Sequence, residues 1–227
     1  MAICGIEKSS FIDYPDKIST VLFIKGCNFK CSYCHNSHIV NNEDSLIELE
    51  EILIFLKNRK KFIEAVCITG GEPTLDSELY NLIKKIKKEK FFVKLDTNGT
   101  RPYILEKLIK NNLLDYIAMD IKAPFDKYEK ITQSKVDIDS IKKSIEIIIN
   151  SNINYEFRTT VCKELLNEDD IMQIAEYIKG SRNYYIQNFK DGETVLEGKN
   201  KFTPHKLKDL KLIENKIKDY FDDFKIR

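Results

Sequence analysis

Residues 65–73 read Ala65-Val66-Cys67-Ile68-Thr69-Gly70-Gly71-Glu72-Pro73, and Leu79, Leu82, Ile83 and Ile86 follow at helical spacing. The short run rich in β-branched side chains predicts a buried strand, and Gly-Gly and Pro break it. The i, i+3, i+4, i+7 repeat predicts a helix with one apolar face. This strand–turn–helix unit recurs along the chain. Strand-like runs stand at 20–24, 91–95, 116–121, 155–161 and 184–189. Helical spacing recurs at Leu49, Ile52, Leu53 and Leu56, at Ile138, Ile141, Ile145 and Ile148, and at Ile171, Ile174, Ala175 and Ile178. Leu207, Leu210, Ile213 and Ile217 mark a last helix. Ser45 with Glu48 predicts a capping box, Pro102 suits a first helical turn, and Asn167 precedes three acidic residues.

Six strands alternating with six helices predict an α/β fold with parallel strands and right-handed crossovers, either doubly wound or curled into a barrel. The residues at the strand ends favour the barrel. Cys27, Cys31 and Cys34 follow the first strand, and Gly70-Gly71-Glu72-Pro73 the second. Asp96-Thr97-Asn98-Gly99 ends the third, and Asp120 and Lys122 stand on the fourth. The fifth carries Arg158, the sixth Gln187 and Asn188. Polar groups at the C-terminal ends of parallel strands are where a barrel builds its site. The 227 residues fall short of the ~250 of a full eight-fold barrel. The expectation is therefore a laterally open, partial (β/α)6 TIM-like barrel over residues 1–198, with 199–227 as a helical extension of the same domain. The plain role for that tail is to cover one barrel end.

Composition narrows the function. Basic residues number 37 and acidic ones 36, for a net charge of +1. This balance gives no case for nucleic acid or an anionic membrane as partner. Lysine-rich stretches such as Lys84-Lys85-Ile86-Lys87-Lys88 read as solvated helix faces. The first residues lack a basic leader and an apolar core, and no apolar run nears the ~18 residues of a membrane span. The expected location is cytoplasmic, so the six cysteines are expected to be reduced and available to metal.

Three of those cysteines crowd into Gly26-Cys27-Asn28-Phe29-Lys30-Cys31-Ser32-Tyr33-Cys34-His35-Asn36. Thiolates select zinc, copper(I) or iron–sulfur clusters. A zinc site would need a fourth ligand, but His35 directly follows Cys34 and there is no second C-x-x-C. The string Cys31 to His35 also matches a c-type haem attachment, which belongs to exported proteins. A [4Fe–4S] cluster on three thiolates would leave one iron without a protein ligand, and an open coordination position marks a metal site that does chemistry. Cys67 and Cys162 stand in strand contexts and read as small buried hydrophobes.

The C-x₃-C-x₂-C spacing, with Tyr33 before the last cysteine and His35-Asn36 after it, closely resembles the glycyl-radical-enzyme activases of the radical S-adenosylmethionine (SAM) superfamily. The resemblance implies a [4Fe–4S] cluster on Cys27, Cys31 and Cys34, whose open iron is chelated by the amino and carboxylate groups of SAM. One-electron reduction then yields methionine and a 5′-deoxyadenosyl radical, which abstracts a hydrogen atom. Gly70, Gly71 and Glu72 resemble the family's GGE motif, which holds the methionine amino group. A Gly-Gly-Glu-Pro turn standing alone would be an ordinary loop.

Asp96, Thr97 and Asn98 resemble the family's D-T-N-G segment beside the cofactor, and Asp120 to Lys122 its D-x-K segment. Tyr33 and Gln187 join these on the cofactor side. Lys122 and Arg158 are the expected catalytic residues, Arg158 meeting the methionyl carboxylate; its plain alternative is a structural salt bridge with Asp120 or Glu72. The resemblance also implies a monovalent cation at Asp96, Thr97 and Asp120. Asp13 resembles an aspartate that touches the substrate peptide, although Asp16 replaces the glycine of that turn. The segments Met119–Phe125 and Phe157–Val161 look most like the short anaerobic ribonucleoside-triphosphate reductase activating proteins. The implied partners are a glycyl radical enzyme and an external electron donor such as flavodoxin or ferredoxin, since no second cluster domain is legible. The rivals are a small-molecule radical SAM enzyme like the 7-carboxy-7-deazaguanine synthases, and a non-catalytic iron–sulfur or zinc regulatory module.

Overall fold

The computed structural model describes residues 2–41 and 45–227. These form one eight-stranded sheet in sequential order: β1 Ile3–Ser10, β2 Ser19–Ile24, β3 Ala65–Gly70, β4 Phe92–Thr97, β5 Tyr116–Asp120, β6 Asn154–Val161, β7 Asn183–Asn188 and β8 Asp223–Ile226. The helices are α1 Ser37–Val40, α2 Leu49–Arg59, α3 Leu79–Lys88, α4 Pro102–Lys110, α5 Tyr128–Thr132, α6 Ile138–Ile149, α7 Glu168–Tyr177 and α8 Leu207–Ile217. β2 to β8 pair in parallel, while β1 runs antiparallel to β2. The six expected strands are β2 to β7. β1 was missed because Gly5 and the run Glu7 to Ser10 interrupt its apolar pattern, as befits an edge strand with two bulges. β8 was missed because it is four residues long and half charged; the tail is helical in α8 and then rejoins the sheet beside β7.

Helix starts follow local chemistry in two cases of three. Pro102 occupies the first turn of α4. The Asn167 side chain accepts from Asp170 N at 2.9 Å while the Asp170 carboxylate accepts from Asn167 N at 3.0 Å, a reciprocal cap for α7. The Ser45–Glu48 box does not form: α2 starts at Leu49, behind Glu48, without a side-chain cap.

Alternation along each strand sorts the side chains into two environments. Val66 and Ile68 of β3 face outward and join the buried faces of the helices, including Leu79, Leu82, Ile83 and Ile86 of α3. Each such side chain contributes ~1.5–3 kcal/mol by burial. Ala65 and Cys67 face inward, with Val21, Tyr116 and Tyr14. Tyr14, from the loop after β1, packs 5.9 Å from Tyr116 and 6.4 Å from Phe92, and so plugs the end where the parallel strands begin.

Toward the other end the inward positions become charged. A cavity of about 520 Å³ has Ile12, Asp13 and Pro15 on one side and Gln187, Lys190 and Arg227 on the other. It therefore lies between the β1 margin and the β7–β8 margin, where the barrel fails to close. This is the expected laterally open partial barrel.

Candidate active site

The loop after β2 turns at Gly26, whose φ is +89°, a conformation that favours glycine. Backbone amides then cap two of the sulfurs, Phe29 N at 3.4 Å from Cys27 Sγ and Asn36 N at 3.4 Å from Cys34 Sγ. Cys27, Cys31 and Cys34 line one cavity of about 150 Å³ together with Tyr33, Lys122 and Arg158. Gly70, Gly71, Asp96, Thr97, Asn98 and Asp120 line it as well. Far apart in sequence, these segments meet because β2 to β6 are neighbours in the sheet.

The glycines bring β3 against the cysteine loop. A side chain at Gly70, where φ is +113°, would stand 2.5 Å from Ile24 N, and one at Gly71 would overlap the Gly26 carbonyl. Gly71 N donates to Ile24 O and Glu72 N to Gly26 O, both at 2.8 Å. Asn36 Nδ2 adds a bond to Gly70 O at 3.0 Å. Their first task is thus to let two backbones touch.

Glu72 is 1% exposed and does not line the cavity. Its carboxylate accepts from Thr97 Oγ1 at 2.8 Å, Asn98 N at 2.6 Å, Thr74 N at 3.0 Å and the Thr74 hydroxyl. Burial pushes its pKa up, against the pull of these donors. The carboxylate therefore fixes the Thr97–Asn98 turn from behind. Asn98 Nδ2 passes that order to the cysteine loop through Asn28 Oδ1 at 2.8 Å.

Arg158 is the centre of a buried charge network. Its Nε donates to Asp120 Oδ1 at 2.8 Å and its Nη1 to Asp96 Oδ2 at 3.2 Å, with Glu156 at 3.7 Å. Lys94 Nζ lies 2.8 Å from Asp96 Oδ1, and Lys122 Nζ lies 3.1 Å from Asp120 Oδ2. Burial opposes ionisation of Asp120, but Arg158 and Lys122 outweigh it and hold the carboxyl well below its usual range. Asp96 is lowered in the same way by Arg158 and Lys94. Lys122 is held protonated against burial by the Asp120 carboxylate. Of the two structural partners foreseen for Arg158, Asp120 is present and Glu72 is not.

Burial raises the Cys27 thiol to about 12 and pushes Cys31 up too, the nearby Lys122 ammonium pulling both down. Tyr33 is fully buried against Cys31, and its hydroxyl lacks a well-formed hydrogen bond. Three thiols, a lysine beside them and a half-lined cavity fit a cluster held by three thiolates. Among the described residues no three His, Cys, Asp or Glu side chains gather tightly enough for a single metal ion. A cluster takes each thiolate on a different iron and does not need that convergence.

Two predicted residues stand apart. Asp13, which accepts from Ser10 Oγ at 2.5 Å, and Gln187 line the lateral cavity, and not the one among the cysteines. Arg158 lines both. Lys94 and Glu156 escaped the sequence reading, although the alternation Phe92, Lys94, Asp96 turns Lys94 to the same face as Asp96. The segment after β7 carried no signal, yet it clasps the cysteine loop: Leu196 N donates to Cys34 O at 2.9 Å, Glu197 N to Ser32 O at 3.1 Å, and His35 stacks on Phe189 at 5.3 Å.

A three-thiol loop at the C-terminal end of an open parallel barrel defines a class, and the comparisons agree. Residues 21–178 match the family model of the Radical SAM superfamily, and the chain belongs to that superfamily. Within it the chain is an enzyme of the glycyl-radical activating kind. It is 40% identical, over 99% of its own length and 95% of the relative's, to a protein of Methanocaldococcus jannaschii provisionally named a glycyl-radical enzyme activating enzyme. It is 30% identical to the pyruvate formate-lyase-activating enzyme of Clostridium pasteurianum, over 80% of this chain and 77% of the relative. Among solved structures, Streptococcus suis SuiB bound to precursor peptide SuiA superposes with a TM-score of 0.72 at 18% identity, over 91% of this chain. The chain spans about half of SuiB, 48%, so that likeness concerns the fold. The superfamily implies a [4Fe–4S] cluster and SAM. No helix among the described residues is long and apolar enough to cross a membrane.

Proposed function

We propose that this enzyme installs the glycyl radical of an anaerobic ribonucleoside-triphosphate reductase. The observation that carries the reading is the position of Arg158, which lines both the cysteine cavity and the lateral cavity. Bound cofactor and a polypeptide entering from the side would meet at its guanidinium. The reductase is favoured by the segments Met119–Phe125 and Phe157–Val161, which look most like its activators.

A [4Fe–4S] cluster with SAM supplies, when bound, the electron that breaks the S–C5′ bond and the 5′-deoxyadenosyl radical that takes a glycine Cα hydrogen. Cys27, Cys31 and Cys34 would hold the cluster. Lys122 and Arg158 present positive charge to the methionyl carboxylate. The Gly70-Gly71 backbone lines the pocket for the amino group, while Glu72 keeps Thr97 and Asn98 in place behind it. Asp13 and Gln187 face the peptide side. A monovalent cation has weaker support, because Asp96 and Asp120 already carry Arg158, Lys94 and Lys122. The electron would come from an external flavodoxin or ferredoxin in the cytoplasm.

The test is anaerobic. Reconstituted, reduced protein is given SAM and purified reductase, and both 5′-deoxyadenosine and the glycyl radical EPR doublet are measured. Both should appear. Absence of 5′-deoxyadenosine would remove the enzymatic reading, and 5′-deoxyadenosine without the doublet would remove the reductase as partner.

A further inference from the structure

Among the described residues, the buried side-chain polar atoms that lack a well-formed hydrogen bond are Tyr33 Oη, Arg59 Nε, Asp96 Oδ1 and Ser181 Oγ. Arg59 and Ser181 stand away from the cysteine cavity, while Tyr33 and Asp96 line it. Asp96 Oδ1 has the Lys94 ammonium 2.8 Å away. Tyr33, 5% exposed, is therefore the orphan of the site. Protein interiors rarely leave a hydroxyl unpaired, and one that is unpaired at a redox centre calls for a partner. Local geometry fixes where this hydroxyl stands. Cys34 N donates to Cys31 O at 2.9 Å, which closes a tight turn with Tyr33 at its corner. The nearby Tyr128 hydroxyl is already engaged, accepting from Lys122 N at 3.2 Å.

The groups around the Tyr33 hydroxyl are Cys31, Lys122, Asp120 and Tyr128. Lys122 and Asp120 hold each other at 3.1 Å. Of the four, Cys31 is the one whose chemistry changes when a cluster is bound. A neutral thiol is a weak acceptor, which is why the contact with it is poorly formed, whereas a thiolate takes a charge-assisted bond. Tyr33 acts on Cys31 as a hydrogen-bond donor and so favours its thiolate. A phenol, with a pKa of about 10, keeps the proton it needs for this at neutral pH. We infer that the Tyr33 hydroxyl donates to the Cys31 sulfur of the loaded cluster and raises the cluster's reduction potential. Hydrogen bonds to the sulfurs are among the levers that set such potentials. The reduced cluster carries one more negative charge and gains more from the donor than the oxidised one. Tyr33 is thus a positioning residue that acts through a ligand. This role rests on the cluster at Cys27, Cys31 and Cys34 and is independent of which protein receives the radical.

The test uses the full-length protein carrying Tyr33→Phe, which removes the hydroxyl and keeps the ring. Four quantities are compared with wild type: iron per chain after reconstitution, the midpoint potential from an EPR-monitored redox titration without SAM, the Kd for SAM, and urea denaturation of the metal-free protein. The expected variant loads its full iron. At a fixed solution potential its ratio of oxidised to reduced cluster rises about tenfold, a fall of about 59 mV in midpoint for one electron. The metal-free variant should resist urea at least as well as wild type, because its hydroxyl has no partner to lose. Equal midpoints overturn the inference. So does an unchanged midpoint with weakened SAM binding, which would assign the hydroxyl to the cofactor. Loss of iron, or of stability without metal, makes Tyr33 a structural group and overturns it too. A wild type that assembles no four-iron cluster overturns it at the ligands themselves. None of these readouts uses the reductase, so a failure of that partner is read separately, in the glycyl radical doublet.

Discussion

Arg158 Nε donates to Asp120 Oδ1 at 2.8 Å from the directly paired position on the neighbouring strand. The same guanidinium reaches Asp96 at 3.2 Å, so one side chain joins the ends of β4, β5 and β6. Removing it would leave two half-buried carboxylates with less positive charge between them. Arg158→Ala should lower unfolding free energy by about 3–5 kcal/mol, measured by urea denaturation of metal-free protein. Arg158→Lys should recover only part, since one ammonium lacks the guanidinium's fork.

The acid side of the stability profile should carry the mark of Asp120. Its folded value, like that of Asp96, lies below the unfolded value of about 3.9. The ionised form therefore stabilises the fold above that pH, and the contribution is lost as pH falls through the folded value. Glu72 is raised and acts with the opposite sign, favouring the fold at low pH and losing that contribution as pH rises. Asp120→Asn should be less stable than wild type at pH 7, and the gap should close on acidification. A gap that stays constant from pH 7 to pH 2 would contradict the assignment.

Glu72 should prove structural even without metal. Glu72→Ala strands Thr97 Oγ1, Asn98 N and Thr74 N in the interior. Each unpaired group costs about 1–3 kcal/mol, so a loss of at least about 3 kcal/mol is expected in the metal-free protein. Unchanged stability with weakened SAM binding would assign the carboxylate to the cofactor instead.

Gly71→Ala should damage cluster loading through the loop alone. The new methyl meets the Gly26 carbonyl, one residue before Cys27, and the loop must move. A cost of about 1–3 kcal/mol is expected, together with reduced iron per chain after reconstitution. Full loading would mean the loop yields at no cost.

Cys31→Ala should abolish cluster assembly and leave a folded barrel, because alanine takes the place of one small buried side chain in an extensive apolar core. Circular dichroism should remain near that of wild type while iron content and 5′-deoxyadenosine fall to background. A variant that keeps its iron and its activity would refute the cluster assignment.

Much of this was legible along the chain because it is local. The six central strands announce themselves through β-branched runs of four to seven residues, and the helices through their apolar repeats. The cysteine loop is legible since all three thiols come from eight consecutive residues. Glu72 shows the limit: its motif was readable, but the direction of its carboxylate depends on Thr97 and Asn98, 25 and 26 residues away. β1 and β8 are edge strands with weak patterns, and only pairing with β2 and β7 makes them strands.

The sequence by itself determined the repeating strand–helix unit and marked out three closely spaced cysteines as the candidate cluster ligands, because hydrophobic period and ligand spacing act over a few residues. The tertiary structure decided which charges meet. Arg158 takes Asp120 and Asp96, Glu72 turns away from the cavity, and residues 195–198 clasp the cysteine loop. These outcomes depend on the curl of the sheet and the register between strands. Such contacts close only when segments distant in sequence are packed together, where burial makes every unpaired charge costly.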